Sequence, residues 1–213
     1  EENHWWPDFD ALERMELEGV KVMWTNYPNM PTGAKATPEI YQRLVDFGLR
    51  HKILIVNDNP YSFILTDKPL SILAVPRAME CCLELNSLSK SHNMSGWRIG
   101  MVAGAPEMIS EILKVKSQMD SGMFKPLQLA AVEALNQSPE WFAKLNSEYV
   151  RRRVAAGRIF DTLGAVYDHD TAGLFLWGRV PSGYAKDGMS AGEVISERVL
   201  HQAGVVITPG FIF

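Results

Sequence analysis

The sequence predicts an α/β fold in which strands and helices alternate along the chain, followed by part of a second and smaller α/β domain. Short apolar runs rich in β-branched residues alternate with stretches in which apolar residues recur at helical spacing, a pattern typical of a sheet connected through helical crossovers. The chain has 213 residues, of which 46% are hydrophobic and 22% are charged, so it is long and apolar enough to bury a sizeable core.

Composition also excludes several classes of partner. The formal net charge of −4 leaves no basic excess with which to neutralise a nucleic-acid backbone. No apolar run approaches the ~20 residues that a membrane-spanning helix needs. The only cysteines, Cys81 and Cys82, are neighbours that rarely reach disulfide geometry, and the polar start Glu1–His4 lacks the pattern of a signal peptide. We therefore expect a cytoplasmic protein that binds no nucleic acid and no membrane.

The first lobe, residues 1–137, contains four predicted strands and two predicted helices. Thr37 is suited to cap the start of a helix, Pro38 fits the first helical turn, and apolar residues continue at helical spacing over 40–47. A second helix is predicted to begin near Pro106. The predicted strands cover residues 20–25, 52–56, 81–85 and 99–103.

The character of the sequence changes near residue 138, and residues 138–213 are predicted to form the second, incomplete lobe. A helix begins at Ser138 and runs to about Leu163, and another covers 191–201. Apolar runs predict strands at 174–177 and 205–207. Because the chain starts without an initiator methionine and stops in an apolar run, we expect it to be the middle and later part of a longer protein.

Polar loops follow three of the predicted strands, and each taken alone is ordinary turn sequence. Ligands of open α/β sheets bind outside the carboxyl ends of the strands, so the three loops are expected to meet at one edge. Together they supply a carboxylate, a phenol, an amine, hydroxyls and a guanidinium. That set fits an aromatic aldehyde with a phosphate at one end and a basic ring nitrogen at the other. The groups belong to Asp58, Tyr61, Lys90, Ser87, Ser89 and Arg98.

The sequence resembles the class I and II aminotransferases, enzymes of the type I fold that use pyridoxal 5′-phosphate. The matching segments are Asn29–Gly33 (NMPTG), Asp58–Tyr61 (DNPY), Ser87–Gly100 (SLSKSHNMSGWRIG) and Thr208–Phe213 (TPGFIF). The similarity covers nearly the whole chain and about half of a full-length member. It implies a three-layer α/β/α large domain with a mostly parallel sheet, of which residues 1–137 form a part, and part of a smaller C-terminal α/β domain.

The resemblance implies a role for each candidate residue. It makes Lys90 the catalytic residue, which forms an imine with the cofactor aldehyde and then shuttles the proton. It pairs Asp58 with the ring nitrogen and directs the Tyr61 hydroxyl to the ring oxygen, and it assigns the phosphate to Ser87, Ser89 and Arg98. A carboxylate ~4 Å from the ring nitrogen contributes about 4 kcal/mol at an effective dielectric of ~20, enough to keep the ring protonated.

Two features depart from the family pattern. Met30 stands where the family has an asparagine that bonds the ring oxygen, and a thioether cannot donate that hydrogen bond. Asn29, one residue earlier, is an alternative donor if the backbone shifts. The family's arginine for the substrate carboxylate lies beyond the end of the chain, so the sequence does not predict which amino acid is used. We expect this piece alone to be a weak enzyme or an inactive one.

Other functions compatible with the same motifs stay open at this point. A lyase or synthase of the same fold shares the lysine segment, and a non-catalytic sensor of the cofactor in a transcriptional regulator would share it too. The resemblance also implies a homodimer that acts on amino acids and 2-oxo acids. No metal site is predicted, His92 is expected to pack rather than react, and the two cysteines are expected to be inert core thiols.

Overall fold

A computed structural model describes residues 3–213 of the protein; Glu1 and Glu2, from the polar start considered above, lie outside the described residues. The helices are α1 (Phe9–Glu13), α2 (Pro38–His51), α3 (Leu88–Ser91), α4 (Pro106–Met119), α5 (Lys125–Leu135), α6 (Pro139–Thr162) and α7 (Ala191–Ala203). The strands are β1 (Val22–Asn26), β2 (Leu54–Asp58), β3 (Cys82–Ser87), β4 (Gly100–Gly104), β5 (Val166–Tyr167) and β6 (Gly178–Arg179).

The first four strands form one sheet in the order β1-β2-β3-β4. Strands β1, β2 and β3 are parallel, and β4 runs antiparallel to β3, so the predicted mostly parallel sheet is confirmed. Asn26, Asp58 and Leu85 are aligned across the three parallel strands. The carboxyl ends of these strands therefore reach the same edge, and the loops that follow them begin side by side.

Helix α2 covers one face of the sheet and begins at the predicted residue. The Thr37 side chain accepts a hydrogen bond from the Ile40 amide (3.3 Å), and Pro38 occupies the first helical turn. The helix comes very close to β2 at Gly48, where an added Cβ would lie 2.8 Å from the carbonyl oxygen of Ile53 and 2.9 Å from the Ile55 side chain. A glycine at this position is thus a condition of the helix–sheet packing.

A buried polar network lies under the same face of the sheet and joins its three parallel strands. Thr25 in β1 donates to the Oδ1 of Asn57 in β2 (3.1 Å), and the Nδ2 of Asn57 donates to the Oε2 of Glu84 in β3 (3.4 Å). The same carboxylate accepts a hydrogen bond from the Ile72 amide (2.9 Å). Asn57 is completely buried, so the network holds the strands together one residue before Asp58.

Cys81 and Cys82 are free thiols within the buried core, as expected. Burial raises the pKa of both thiols, which keeps them in the unreactive protonated form.

Among residues 3–213, no helix combines the length and the apolar character that crossing a bilayer requires. No cluster of potential metal ligands occurs in this part of the chain either.

Helix α5 was not predicted from the sequence, although Pro126 near its start and the helical spacing of Ala131 and Ala134 could have indicated it. Those two alanines pack against Leu88 and Ile99, so the helix supports the turn that carries Lys90.

The two strands predicted in the second lobe are wrong in position. The small sheet pairs β5 with β6, and residues 174–177 lie just before β6 without strand pairing. The physical reason is at Gly173, whose φ is +80° and whose amide donates to the carbonyl of Ile64, far away in the sequence (2.9 Å). Residues 205–207 also form no strand, because they have no strand partner within residues 3–213, and Val206 is exposed there.

Candidate functional site

Asp58 is the last residue of β2 and lies at the edge where the parallel strands end. Its backbone carbonyl accepts a hydrogen bond from the Asn26 side chain (2.8 Å), which anchors the strand end. Its carboxylate is exposed and has no hydrogen-bond donor within the described residues 3–213. Desolvation by the surrounding protein raises the pKa of this carboxyl. The carboxylate is thus free to pair with a cationic group of a ligand.

Tyr61 follows Asp58 and is almost fully buried. Its hydroxyl donates to the Sδ of Met30 at 3.3 Å. Burial, and secondarily the charge of Asp58, raise the pKa of the phenol, so the phenol is a hydrogen-bond donor at neutral pH. The ring lies edge-on to Phe175, with 6.2 Å between ring centroids, and an added Cβ on Gly173 would contact it at 3.6 Å. The phenol is therefore held in place by Gly173 and Phe175.

The loop after β1 is closed by its own hydrogen bonds. Thr32 donates to the Oδ1 of Asn29 (2.7 Å), and the Asn29 amide donates to the Ala34 carbonyl (2.8 Å). The Met30 amide donates to the Oδ1 of Asn26 (2.7 Å). In this arrangement Asn29 forms hydrogen bonds within its own loop. The Tyr61 hydroxyl donates instead to the sulfur of Met30.

Ser87 ends β3 and caps the short helix α3. Its hydroxyl accepts from the Ser89 amide (3.1 Å) and donates to the Ile99 carbonyl (3.5 Å), while its own carbonyl accepts from the Ser91 hydroxyl (3.0 Å). These bonds fix the turn that carries Lys90. Lys90 is partly buried, and its ammonium group has no hydrogen-bond acceptor or carboxylate within reach in residues 3–213.

Arg98 is brought to this turn through its neighbour Ile99. The Ile99 carbonyl accepts from the Leu88 amide (3.2 Å) as well as from Ser87, so residues 98 and 99 close over the start of α3. Arg98 is exposed, and one of its guanidinium nitrogens donates to the Ser95 carbonyl (3.1 Å). The structure therefore places the predicted residues on two adjacent loops, with Asp58 and Tyr61 after β2 and Ser87–Arg98 after β3. The loop after β1 reaches Tyr61 through Met30.

Sequence reasoning missed the contribution of α6 to this region. Asn146 accepts a hydrogen bond from the Leu65 amide (2.7 Å) and donates to the Phe63 carbonyl (3.0 Å), both in the loop that begins at Tyr61. Phe142, one turn earlier, packs on Phe63. An asparagine inside a long helix has poor intrinsic propensity, and that was the only available signal for this contact.

Comparisons with known proteins agree with this architecture. The family model described as "Aminotransferase class I and II" matches residues 1–213. A protein named LL-diaminopimelate aminotransferase from Aquifex aeolicus is 39% identical over 212 residues, which are 99% of this chain and 53% of that protein. A protein of the same name from Oleidesulfovibrio alaskensis is 36% identical over 213 residues, 99% of this chain and 53% of that protein.

Solved structures give the same result. The apo form of BacF from Bacillus subtilis superposes with a TM-score of 0.89 at 32% identity, covering 99% of this chain and 53% of that chain. An aminotransferase from Staphylococcus aureus gives a TM-score of 0.86 at 28% identity, covering 99% of this chain and 55% of that chain. The chain thus spans about half the length of the relatives it matches. The family match over the full length and the shared fold establish that the chain belongs to the class I and II aminotransferases.

Proposed function

We propose that the protein, with the remainder of its chain, is a pyridoxal-phosphate-dependent aminotransferase that moves an amino group from an amino acid to a 2-oxo acid. The observation that carries the proposal is a pair of charged side chains without partners among the described residues: the exposed Asp58 carboxylate at the end of β2 and the partly buried Lys90 ammonium in the turn after the neighbouring strand β3. The family to which the chain belongs uses pyridoxal 5′-phosphate.

The donor set fits that cofactor. Its aldehyde needs an amine, its ring nitrogen an acid, its ring oxygen a donor and its phosphate several donors. When bound, the cofactor supplies an electron sink for the substrate Cα, provided that its ring nitrogen stays protonated. We assign the acid to Asp58, whose carboxylate has no competing partner in the described part of the chain. We assign the amine to Lys90, which also moves the proton to and from the substrate Cα.

Tyr61 is the proposed donor to the ring oxygen. Its present acceptor, the thioether sulfur of Met30, is a weak one, so an anionic oxygen placed nearby would take the hydrogen bond instead. Because burial keeps the phenol protonated, Tyr61 can stabilise negative charge on that oxygen at neutral pH.

The phosphate is assigned to Ser87, Ser89 and Arg98. The Ser89 hydroxyl makes no hydrogen bond within residues 3–213, and Arg98 uses one of its five N–H donors on Ser95, so both retain donors for an anion. The Ser87 hydroxyl is engaged as a cap, so we expect its part to be mainly to hold the turn.

The substrate class follows the relatives. Proteins named LL-diaminopimelate aminotransferase match 98–100% of this chain at 36–39% identity, so we propose LL-diaminopimelate as the first amino acid to assay, with a 2-oxo acid as acceptor. No observation favours a lyase, a synthase or a cofactor sensor.

The proposal also includes the division into two domains between residues 137 and 138, a homodimer and a cytoplasmic location. The cytoplasmic location is supported by Cys81 and Cys82, which are free, buried thiols.

The experiment uses the full-length protein that contains these residues. The protein is incubated with pyridoxal phosphate, reduced with borohydride and digested, and the labelled peptide is mapped. Label on Lys90 and its loss in Lys90→Ala support the assignment, and label on another lysine refutes it. The amino acid is then supplied alone and the aminated cofactor form is measured. Its consumption on adding a 2-oxo acid indicates an aminotransferase, whereas release of ammonia and a 2-oxo acid indicates a lyase.

A further inference from the structure

We propose that the first turns of α6 position both cofactor-contacting loops at once, so that Trp141, Phe142 and Asn146 act as positioning residues for Tyr61 and Lys90. We call these three side chains the α6 bridge. The inference rests on the proposed function for its consequence in catalysis. The bridge itself is a property of the protein without cofactor.

Asn146 holds the loop that begins at Tyr61. Its side-chain Oδ1 accepts a hydrogen bond from the Leu65 amide (2.7 Å), and its Nδ2 donates one to the Phe63 carbonyl (3.0 Å). Leu65 has a φ of +53°, a strained conformation for a branched residue that surrounding contacts must maintain. The turn is closed at its start by the Ile64 amide, which donates to the Tyr61 carbonyl (2.9 Å). The hydrogen bonds of Asn146 therefore fix the turn from which the phenol projects.

Phe142 joins that loop to the turn of Lys90. Its ring stacks on Phe63, with centroids 5.3 Å apart and planes 28° apart. The Phe142 ring also packs edge-on against the His92 ring, with centroids 5.3 Å apart and planes 77° apart. His92 lies two residues after Lys90 and ends α3, where its amide donates to the Leu88 carbonyl (3.1 Å). One side chain of α6 thus touches both loops.

Trp141 completes the bridge by packing against both His92 and Phe142. Its ring lies 5.7 Å from that of His92, with planes 22° apart, and 5.1 Å from that of Phe142. His92 is buried, and its Nδ1 is hydrogen-bonded to the Ser91 hydroxyl at 2.8 Å, so its ring cannot rotate freely. Aromatic pairs of this geometry have defined relative orientations, so a shift of α6 moves the Lys90 turn and the Tyr61 loop together.

The first test is hydrogen exchange on the cofactor-free protein. Asn146→Ala removes the acceptor of the Leu65 amide, and we expect that amide to exchange at least tenfold faster. Phe142→Ala should speed exchange both in residues 61–65 and in residues 88–92. The matched control is Ser147→Ala, because Ser147 is exposed and bonds only to Lys144 within the same helix. Equal rates in Asn146→Ala and the control, or a Phe142→Ala effect limited to one loop, overturns the proposal.

The second test asks whether the bridge positions the phenol for the cofactor. The pH titration of the visible absorption of the bound cofactor reports the donor on its ring oxygen. Loss of that donor in Tyr61→Phe should raise the apparent pKa, and Asn146→Ala should raise it in the same direction by a smaller amount. Asn146→Asp retains the acceptor for Leu65 and should give a value between Asn146→Ala and the unmodified protein, and it substitutes for Asn146→Ala if that variant does not fold.

The outcomes separate the two proposals. A shift in Tyr61→Phe with none in the Asn146 variants shows that Asn146 only stabilises the fold and overturns the bridge as a positioning device. No shift in Tyr61→Phe instead contradicts the proposed role of Tyr61, and the exchange rates in the cofactor-free protein then decide the bridge alone.

Discussion

The hydroxyl of Tyr61 donates its hydrogen bond to the sulfur of Met30, 3.3 Å away. In the family pattern a second donor would stand at position 30, so here a thioether takes the place of an amide. Of positions 30 and 61, only Tyr61 is then expected to donate a hydrogen bond to the ring oxygen of the bound cofactor.

Met30→Asn should supply the second donor. A hydrogen bond to a charged acceptor contributes about 1.5–3 kcal/mol, so negative charge on the ring oxygen should be stabilised. The apparent pKa in the visible absorption of the bound cofactor should then fall by about one to two units, since 1.36 kcal/mol corresponds to one unit. Met30→Leu, which adds no donor, is the control. Identical titrations of the two variants would contradict the expectation.

Asp58→Asn should reduce catalysis far more than cofactor binding. The substitution retains size and removes the charge that keeps the ring nitrogen protonated. About 4 kcal/mol of that interaction corresponds to a loss of roughly three orders of magnitude in the rate of amino transfer. The rate is measured in a single turnover with amino acid, and the Kd of the cofactor by fluorescence. Asp67→Asn, in the exposed part of the following loop, should leave both values unchanged.

Two glycine substitutions in helices should have opposite effects on stability. Gly48→Ala places a Cβ 2.8 Å from the Ile53 carbonyl oxygen, and overpacking of this kind costs roughly 1–3 kcal/mol. Gly192→Ala, in α7, meets nothing within 4 Å and should gain roughly 0.5–1 kcal/mol from reduced backbone entropy in the unfolded chain. Urea unfolding measures both changes, and stabilisation by Gly48→Ala would show that α2 lies farther from the sheet.

Glu84→Leu should destabilise the protein by about 1–3 kcal/mol, because it leaves the buried Ile72 amide without its acceptor. It also removes one of the two acceptors of the Asn57 Nδ2, which keeps only the Tyr41 hydroxyl. Glu80→Gln is the control, since its ion pair with Arg77 is exposed and screened by solvent, so its loss should change stability little. Shifts in the denaturant midpoint measure both. If Glu84→Leu is neutral, the network does not contribute to holding the strands.

Local patterns were enough to predict the four strands of the main sheet, the start of α2 and the order of the loops. Asp58 was recognisable because a carboxylate follows consecutive apolar residues, and Lys90 because its segment matches a family motif. The contacts of Asn146 with Phe63 and Leu65 were not predictable, because they join residues more than 80 positions apart through packing that no local period records. Nor was the absence of the expected strand at 174–177 predictable, because Gly173 just before it is hydrogen-bonded to a distant partner, Ile64.

The polar network around Asn57 also fixes which way β2 faces. Side chains of a strand alternate between the two faces of its sheet, so sliding β2 by one position against its neighbours would exchange Asn57 and Asp58. Asn57 would then point outward, and the Asp58 carboxylate would be buried beside the Glu84 carboxylate, with no compensating cation among the described residues of the network. The hydrogen bonds from Thr25 and to Glu84 exist only in the native alignment, so they discriminate against this alternative pairing as the chain folds.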